Sequence, residues 1–242
     1  MQIASRQLVW NESLGGGGRT VLVIRADAVC MTARLCAGSL APGSSEVTVD
    51  WGDGTVEQFP NLNGRMHTYA RARDYRVKIS DDLSSFGYTA GNPSGDHYRD
   101  MLIELVSLGT KVTSITGYGF NNCHNMRGVI FLPNVTSIGS YAFGTTRGIT
   151  DFILPSMTRL VQTSFYSGPS PTQIHADNVR QIDSLFWDYY GWRLYDLYLR
   201  SSTCAQIKAM NGFPFGADRI SETVRFHGSD GIVLGNGTII QG

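Results

Sequence analysis

Charge is scarce in this chain and has no net sign. Of its 242 residues only 17% are charged, and 20 basic side chains balance 20 acidic ones. Without a basic surplus there is no electrostatic means of gripping a polyphosphate backbone or an anionic bilayer, so neither nucleic acid nor membrane is expected as a partner. No stretch approaches the roughly 18 apolar residues needed to span a bilayer, which argues against insertion by a helix. The opening Met1-Gln-Ile-Ala-Ser-Arg6 lacks a basic region running into an apolar one, so the chain as written carries no secretion signal. That points to assembly into a phage particle released by lysis, or to a signal removed from the sequence.

Metal and redox chemistry is equally short of material. The four cysteines, Cys30, Cys36, Cys123 and Cys204, show no C-x-x-C spacing. On one strand Cys30 and Cys36 would stand about 20 Å apart, beyond disulfide reach. Free thiols, formed in a reducing cytosol, are expected. The five histidines are scattered, with no H-E-x-x-H and no i, i+4 pair, so no metal or cofactor is expected. Gly15 to Gly18 is no phosphate loop, because Arg19-Thr20 follows it and a strand, not a helix, comes next.

Glycine and aromatics are what the chain has in quantity: 28 glycines, and 11% Phe, Trp and Tyr. That mixture suits many short strands joined by tight turns. Four segments then repeat one wording: Val112-Thr-Ser-Ile115, Val135-Thr-Ser-Ile138, Met157-Thr-Arg-Leu160 and Val179-Arg-Gln-Ile182. Their last residues are spaced 23, 22 and 22 apart, each with an aromatic five positions on, at Phe120, Phe143, Phe165 and Trp187. After each lies a second apolar cluster, at Val129 to Pro133, Phe152 to Pro155, Ile174 to Ala176 and Leu197 to Leu199. A period this short means stacked units, each of two extended segments and a turn, that bury ladders of side chains only by stacking.

In the N-terminal half, Thr20 to Ala26, Val29 to Cys36 and Glu46 to Trp51 read as strands, and Asp53-Gly54 as a hairpin turn returning through Val56 to Phe59. Trp51-Gly-Asp-Gly-Thr55, His67-Thr-Tyr69 and Tyr75-Arg-Val-Lys-Ile79 occur in an order that resembles the polycystic-kidney-disease (PKD) domain, an immunoglobulin-like β-sandwich. Arg73-Asp74 departs from the Gly-Thr usual there. The resemblance implies a spacer or binding module without catalytic residues. Asp50 and Asp53 are weak candidates for calcium; an Asp-capped turn is the simpler expectation.

The wording Val135-Thr-Ser-Ile-Gly-Ser-Tyr-Ala-Phe143, followed by Leu154-Pro155, resembles the BspA-type leucine-rich repeat. That family occurs on bacterial surface and secreted proteins and some phage-encoded ones, which implies adhesion or recognition. The expected fold is thus mainly β: a PKD-like sandwich over 1–88, a connection and repeat cap over 89–107, repeats over 108–200, and a helix and hairpin cap over 201–242. Within the connection, Met101 to Leu108 is expected to open the stack. The helix begins at Ser201-Ser-Thr and places Cys204 in its first turn, as a packed thiol more than as a nucleophile.

In the fourth repeat the outer wording turns aromatic, Phe186-Trp-Asp-Tyr-Tyr-Gly-Trp192 with Tyr195 and Tyr198. Aromatics offer rigid contact area. Trp187 and about half of the others serve as core in the simplest reading, leaving Tyr189, Tyr190 and Trp192, with Tyr166 and Tyr195, as binding candidates. The leading expectation is a non-enzymatic structural and recognition protein of a phage tail, located in the virion. Its partners would be other virion proteins or a host-surface protein or glycan, and it could form a homo-oligomer. The alternatives are a bacterial surface or secreted adhesin and, further off, a carbohydrate-active enzyme with two acids on separate strands.

Overall fold

The structure is a computed structural model and describes residues 18–90, 97–165, 171–183, 194–211, 213 and 224–241. The strands of the first part are β1 (Thr20–Ala26), β2 (Thr32–Leu35), β3 (Val47–Asp50), β4 (Val56–Phe59), β5 (Arg65–Thr68), β6 (Arg73–Ile79) and β7 (Ser85–Phe86). In β6, Tyr75, Val77 and Ile79 are buried and alternate with more exposed Arg76 and Lys78, the period of a strand with one face on a core. It pairs along its whole length with the apolar β1, and β3 and β4 form the expected hairpin. With a later strand, β8 (Leu102–Ser107), they form a five-stranded antiparallel sheet of order β4-β3-β6-β1-β8, while β2 and β5 pair separately. That split is more lopsided than the near-even one of an immunoglobulin-type sandwich.

The residues of the PKD-like wording converge. Trp51 is fully buried, its indole Nε1 donates to Glu57 at 2.7 Å, and its carbonyl accepts from the Tyr69 hydroxyl at 3.0 Å. The His67 ring stacks on Trp51 at 4.9 Å and Tyr69 stacks on Tyr75 at 3.8 Å. Gly52 has φ +84°, and a Cβ there would lie 2.6 Å from the Arg76 carbonyl oxygen, so the turn requires glycine on two counts.

The next strands are β8 (Leu102–Ser107), β9 (Ser114–Ile115), β10 (Arg127–Phe131), β11 (Ser137–Ile138), β12 (Gly148–Ile153), β13 (Arg159–Leu160), β14 (Gln173–His175), β15 (Gln181–Ile182) and β16 (Asp196–Tyr198). From β9 to β16 they build a β-solenoid of about 3 turns. Equivalent residues of successive coils pair in parallel: Ile115 with Ile138, Leu160 with Ile182, Ile130 with Phe152, Phe152 with Ile174, and Ile174 with Leu197. Each of these side chains is at most 5% exposed, so each contributes roughly 1.5–3 kcal/mol of burial. The aromatics stack likewise, Phe120 on Phe143 at 5.2 Å and Phe143 on Phe165 at 5.9 Å. Corner side chains stitch coil to coil, Asn134 donating to the Thr110 carbonyl and Asn178 to that of Pro155.

The two parts interleave at their joint. The segment Met101 to Leu108 forms β8, which pairs antiparallel with β1 at the edge of the first sheet and also lies against β10, where the repeat sheet begins. β7, within the 1–88 expected for the first part, pairs with the strand β9: Phe86 stands in parallel register with Ile115 and is fully buried. Leu83-Ser-Ser-Phe86 is thus a further copy of Val112-Thr-Ser-Ile115. The chain crosses over at the joint, each part lending a strand to the other, and buried residues from Leu22 to Val233 form one hydrophobic cluster.

After β16 come the helix α1 (Cys204–Lys208) and the strands β17 (Arg225–His227), β18 (Gly231–Leu234) and β19 (Ile239–Gln241). Thr203 caps α1 in a capping box with Gln206. β17 adds a parallel strand beside β16, and β18 and β19 turn back antiparallel to close the seven-stranded sheet β10-β12-β14-β16-β17-β18-β19.

Candidate functional site

On β14, β16 and β17 the middle residue of each three points inward, and Ile174, Leu197 and Phe226 are all fully buried. The flanking residues therefore face outward. In-register pairing, parallel as far as β17 and antiparallel from β18 on, aligns them in two rows. One runs Val129, Asp151, Gln173, Asp196, Arg225 and Leu234; the other runs Phe131, Ile153, His175, Tyr198, His227, Ile232 and Ile240.

In-register neighbours on a sheet stand about 4.8 Å apart, close to the stacking distance of flat rings. His175 and Tyr198 accordingly stack at 4.2 Å with planes 3° apart, and Tyr198 and His227 at 4.3 Å with planes 18° apart. The Arg200 guanidinium lies 4.8 Å from the Tyr198 ring centroid, a cation–π contact. With its neighbours on both sides, Tyr198 offers ring edge and hydroxyl outward instead of a bare face for a sugar to stack on. Burial pushes the Tyr198 hydroxyl pKa up, and it pulls the His175 pKa down, helped by the Arg200 charge.

Beside this stack, Asp196 is 7% exposed at its side chain and accepts from Arg225 at 2.7 Å and from His227 Nε2 at 2.6 Å. Burial alone would raise its carboxyl, but these two donors hold it below the usual carboxylate range. That is the opposite of what a general acid needs. Asp151 accepts from the Thr150 and Thr172 hydroxyls. What the face can do is present a rigid comb of hydrogen-bonding ring edges flanked by two guanidinium groups.

Of the binding candidates expected from the sequence, Tyr195, the residue before β16, is 47% exposed. Its backbone is pinned between coils, its N–H donating to Thr172 and its carbonyl accepting from Arg225. Tyr166, Tyr189, Tyr190 and Trp192 lie outside the described residues, as does Trp187. Tyr198 stands out in the sequence among its aromatic neighbours, whereas His175 and His227 read only as scattered histidines and Arg200 carries no motif. The signal was there, since His175 and Tyr198 each follow the inward residue of a second apolar cluster.

Asp50 and Asp53 do not converge on a shared cation position. Asp50 accepts from the Gly52 N–H at 2.9 Å and faces Lys78; Asp53 accepts from the Thr55 N–H at 3.0 Å and from His67 at 2.8 Å. Both are turn caps. A polar cleft of about 330 Å³ at the joint is lined by Asp27, Cys30, His97, Asp100, His124 and Asn125 among others. There Asp100 pairs with His124 at 2.9 Å, and Asp27 accepts the N–H groups of Val29 and Cys30. Among the described residues no three His, Cys, Asp or Glu side chains are arranged to hold a metal ion. The four cysteines are free, and Cys204, 2% exposed, has its thiol pushed up to about 11 by burial and by Asp230, which disfavours the thiolate.

No helix among the described residues is long and apolar enough to cross a membrane. No curated protein and no solved structure matches the chain. The family comparison agrees with the stacked coils and reaches beyond the 108–200 expected from the wording: residues 96–208 match the model of the BspA type leucine-rich repeat region, in six copies, and that part of the chain is similar to this repeat family.

Proposed function

We propose that this chain is a non-enzymatic recognition protein presented at a bacterial surface or secreted, where the outer face of its repeat sheet contacts a protein or glycan of another surface. BspA-type repeats are typical of surface or secreted bacterial proteins and suggest an adhesin-like role. The observation that carries the reading is the outward row His175, Tyr198 and His227 with Arg200 against it, and the exposed Tyr195 at the start of the same coil segment. Ladder positions are fixed by packing, whereas outward positions are free to vary, so aromatic and hydrogen-bonding side chains gathered there serve something other than folding. The convergence of Trp51, His67, Tyr69 and Tyr75 supports a PKD-like spacer role for the first half. Tail attachment in a phage has no such support, and the cell-surface reading takes precedence over it.

Labelled protein should bind intact cells or immobilised extracellular proteins and glycans saturably. The double variant Tyr195→Ala, Arg200→Ala should weaken that binding by about tenfold, the loss expected at an anchor residue, with its melting temperature nearly unchanged. Unchanged binding would remove this face from consideration. Antibody that labels purified phage particles but not intact bacteria would restore the virion reading, and glycan turnover would overturn the non-enzymatic one.

A further inference from the structure

The strand β19 closes the seven-stranded sheet on one side and pairs only with β18 among the described strands. The turn joining them fixes which backbone groups it leaves over. Leu234 N–H donates to the Thr238 carbonyl, Gly237 N–H donates to the Leu234 carbonyl, and Gly237 has φ +84°. This is a three-residue hairpin loop with a glycine bulge. Hydrogen-bonded and non-hydrogen-bonded pairs alternate from there. Ile232 and Ile240 thus form a hydrogen-bonded pair, while Ile239 and Gln241 turn their N–H and C=O groups to the open edge.

Open edges are ordinarily protected by charge or proline. Here the strand is Ile239-Ile240-Gln241, without either, and both isoleucines are exposed, at 43% and 48%. The chain carries no net charge to hold copies apart.

We propose that β19 pairs antiparallel with β19 of a second copy of this chain, across a two-fold axis at Ile240. The register follows from the outward groups. Residues 239 and 241 of one copy hydrogen-bond residues 241 and 239 of the other, which leaves the two Ile240 side chains facing each other in the close non-hydrogen-bonded position. Every outward N–H and C=O of the strand then has a partner. The isologous contact closes on itself and does not propagate into a fibre. Ile240 belongs to the outward row that includes Tyr198 and His227, so the dimer joins two recognition faces into one continuous sheet. A strand this short makes a weak contact, effective where copies are crowded or where two faces engage one target.

Sedimentation equilibrium of the full chain across the micromolar to millimolar range should show a reversible monomer–dimer equilibrium. Gln241→Pro, which removes an outward N–H without touching the bonds to β18, should weaken it at least about tenfold. In a mild oxidant Ile240→Cys should cross-link to a dimer, since facing Cα atoms about 4.5 Å apart suit a disulfide, whereas Ile239→Cys, placed opposite Gln241, should not. Should Gln241→Pro prove unfolded, the two cysteine variants decide alone. A monomer at every concentration overturns the proposal, as does cross-linking that is equal at 239 and 240 or absent from both.

Discussion

Asp196 Oδ1 and His227 Nε2 share a 2.6 Å hydrogen bond between adjacent parallel strands, although 31 residues separate them in sequence. An ionised carboxylate only accepts, so the bond places a proton on Nε2 and orients the imidazole that stacks on Tyr198. The carboxylate is thus the support of the outward ring row.

Acid should release that support. The Asp196 pKa is depressed in the folded chain, so its stabilisation is complete above the unfolded value of about 3.9 and disappears as pH falls through the lower folded value. Urea titrations between about pH 6 and about pH 3 should show Asp196→Asn less stable than the parent by about 1.5–3 kcal/mol at the upper end, with the gap narrowing towards the lower. A constant gap would mean that the charge is not what matters.

Phe143 stacks on both Phe120 and Phe165 and meets Phe152 edge-on at 5.1 Å. Phe143→Ala should cost about 3–5 kcal/mol in chemical denaturation, because a fully buried ring in the middle of a stack leaves a cavity its neighbours cannot close. A loss below about 1 kcal/mol would show that the coils readjust independently.

Gly52→Ala should destabilise by about 1–2 kcal/mol from backbone conformation alone, and more from the approach to the Arg76 carbonyl. Gly43→Ala provides the comparison: it shares a positive φ of +85° but meets nothing within 4 Å. Equal losses in the two variants would dismiss the close approach as a cause.

Thiol labelling of the native chain should modify Cys30 first. Cys30 is half-buried, whereas Cys36, Cys123 and Cys204 are each at most 8% exposed, and burial pushes the Cys123 and Cys204 thiols up. Mass spectrometry after brief alkylation should find one modified cysteine in the folded protein and four in denaturant. Early labelling of Cys204 would indicate that α1 opens from the stack.

The sequence by itself determined the stacking. Ile115, Ile138, Leu160 and Ile182 recur at a near-constant interval, and inward ladders can be built only from such a period, so the solenoid and the second clusters at Phe152, Ile174 and Leu197 were legible. The coil at Phe86 was not, because 29 residues separate it from Ile115 and phenylalanine stands where isoleucine is usual. Which sheet takes β8 was not legible either, since an apolar strand carries no mark of its neighbour. The tertiary structure alone brought His175, Tyr198 and His227 into one row. Their spacing differs and their identities do not repeat, and only parallel register, which sets each residue one strand spacing from its counterpart, turns three unlike side chains into a single surface.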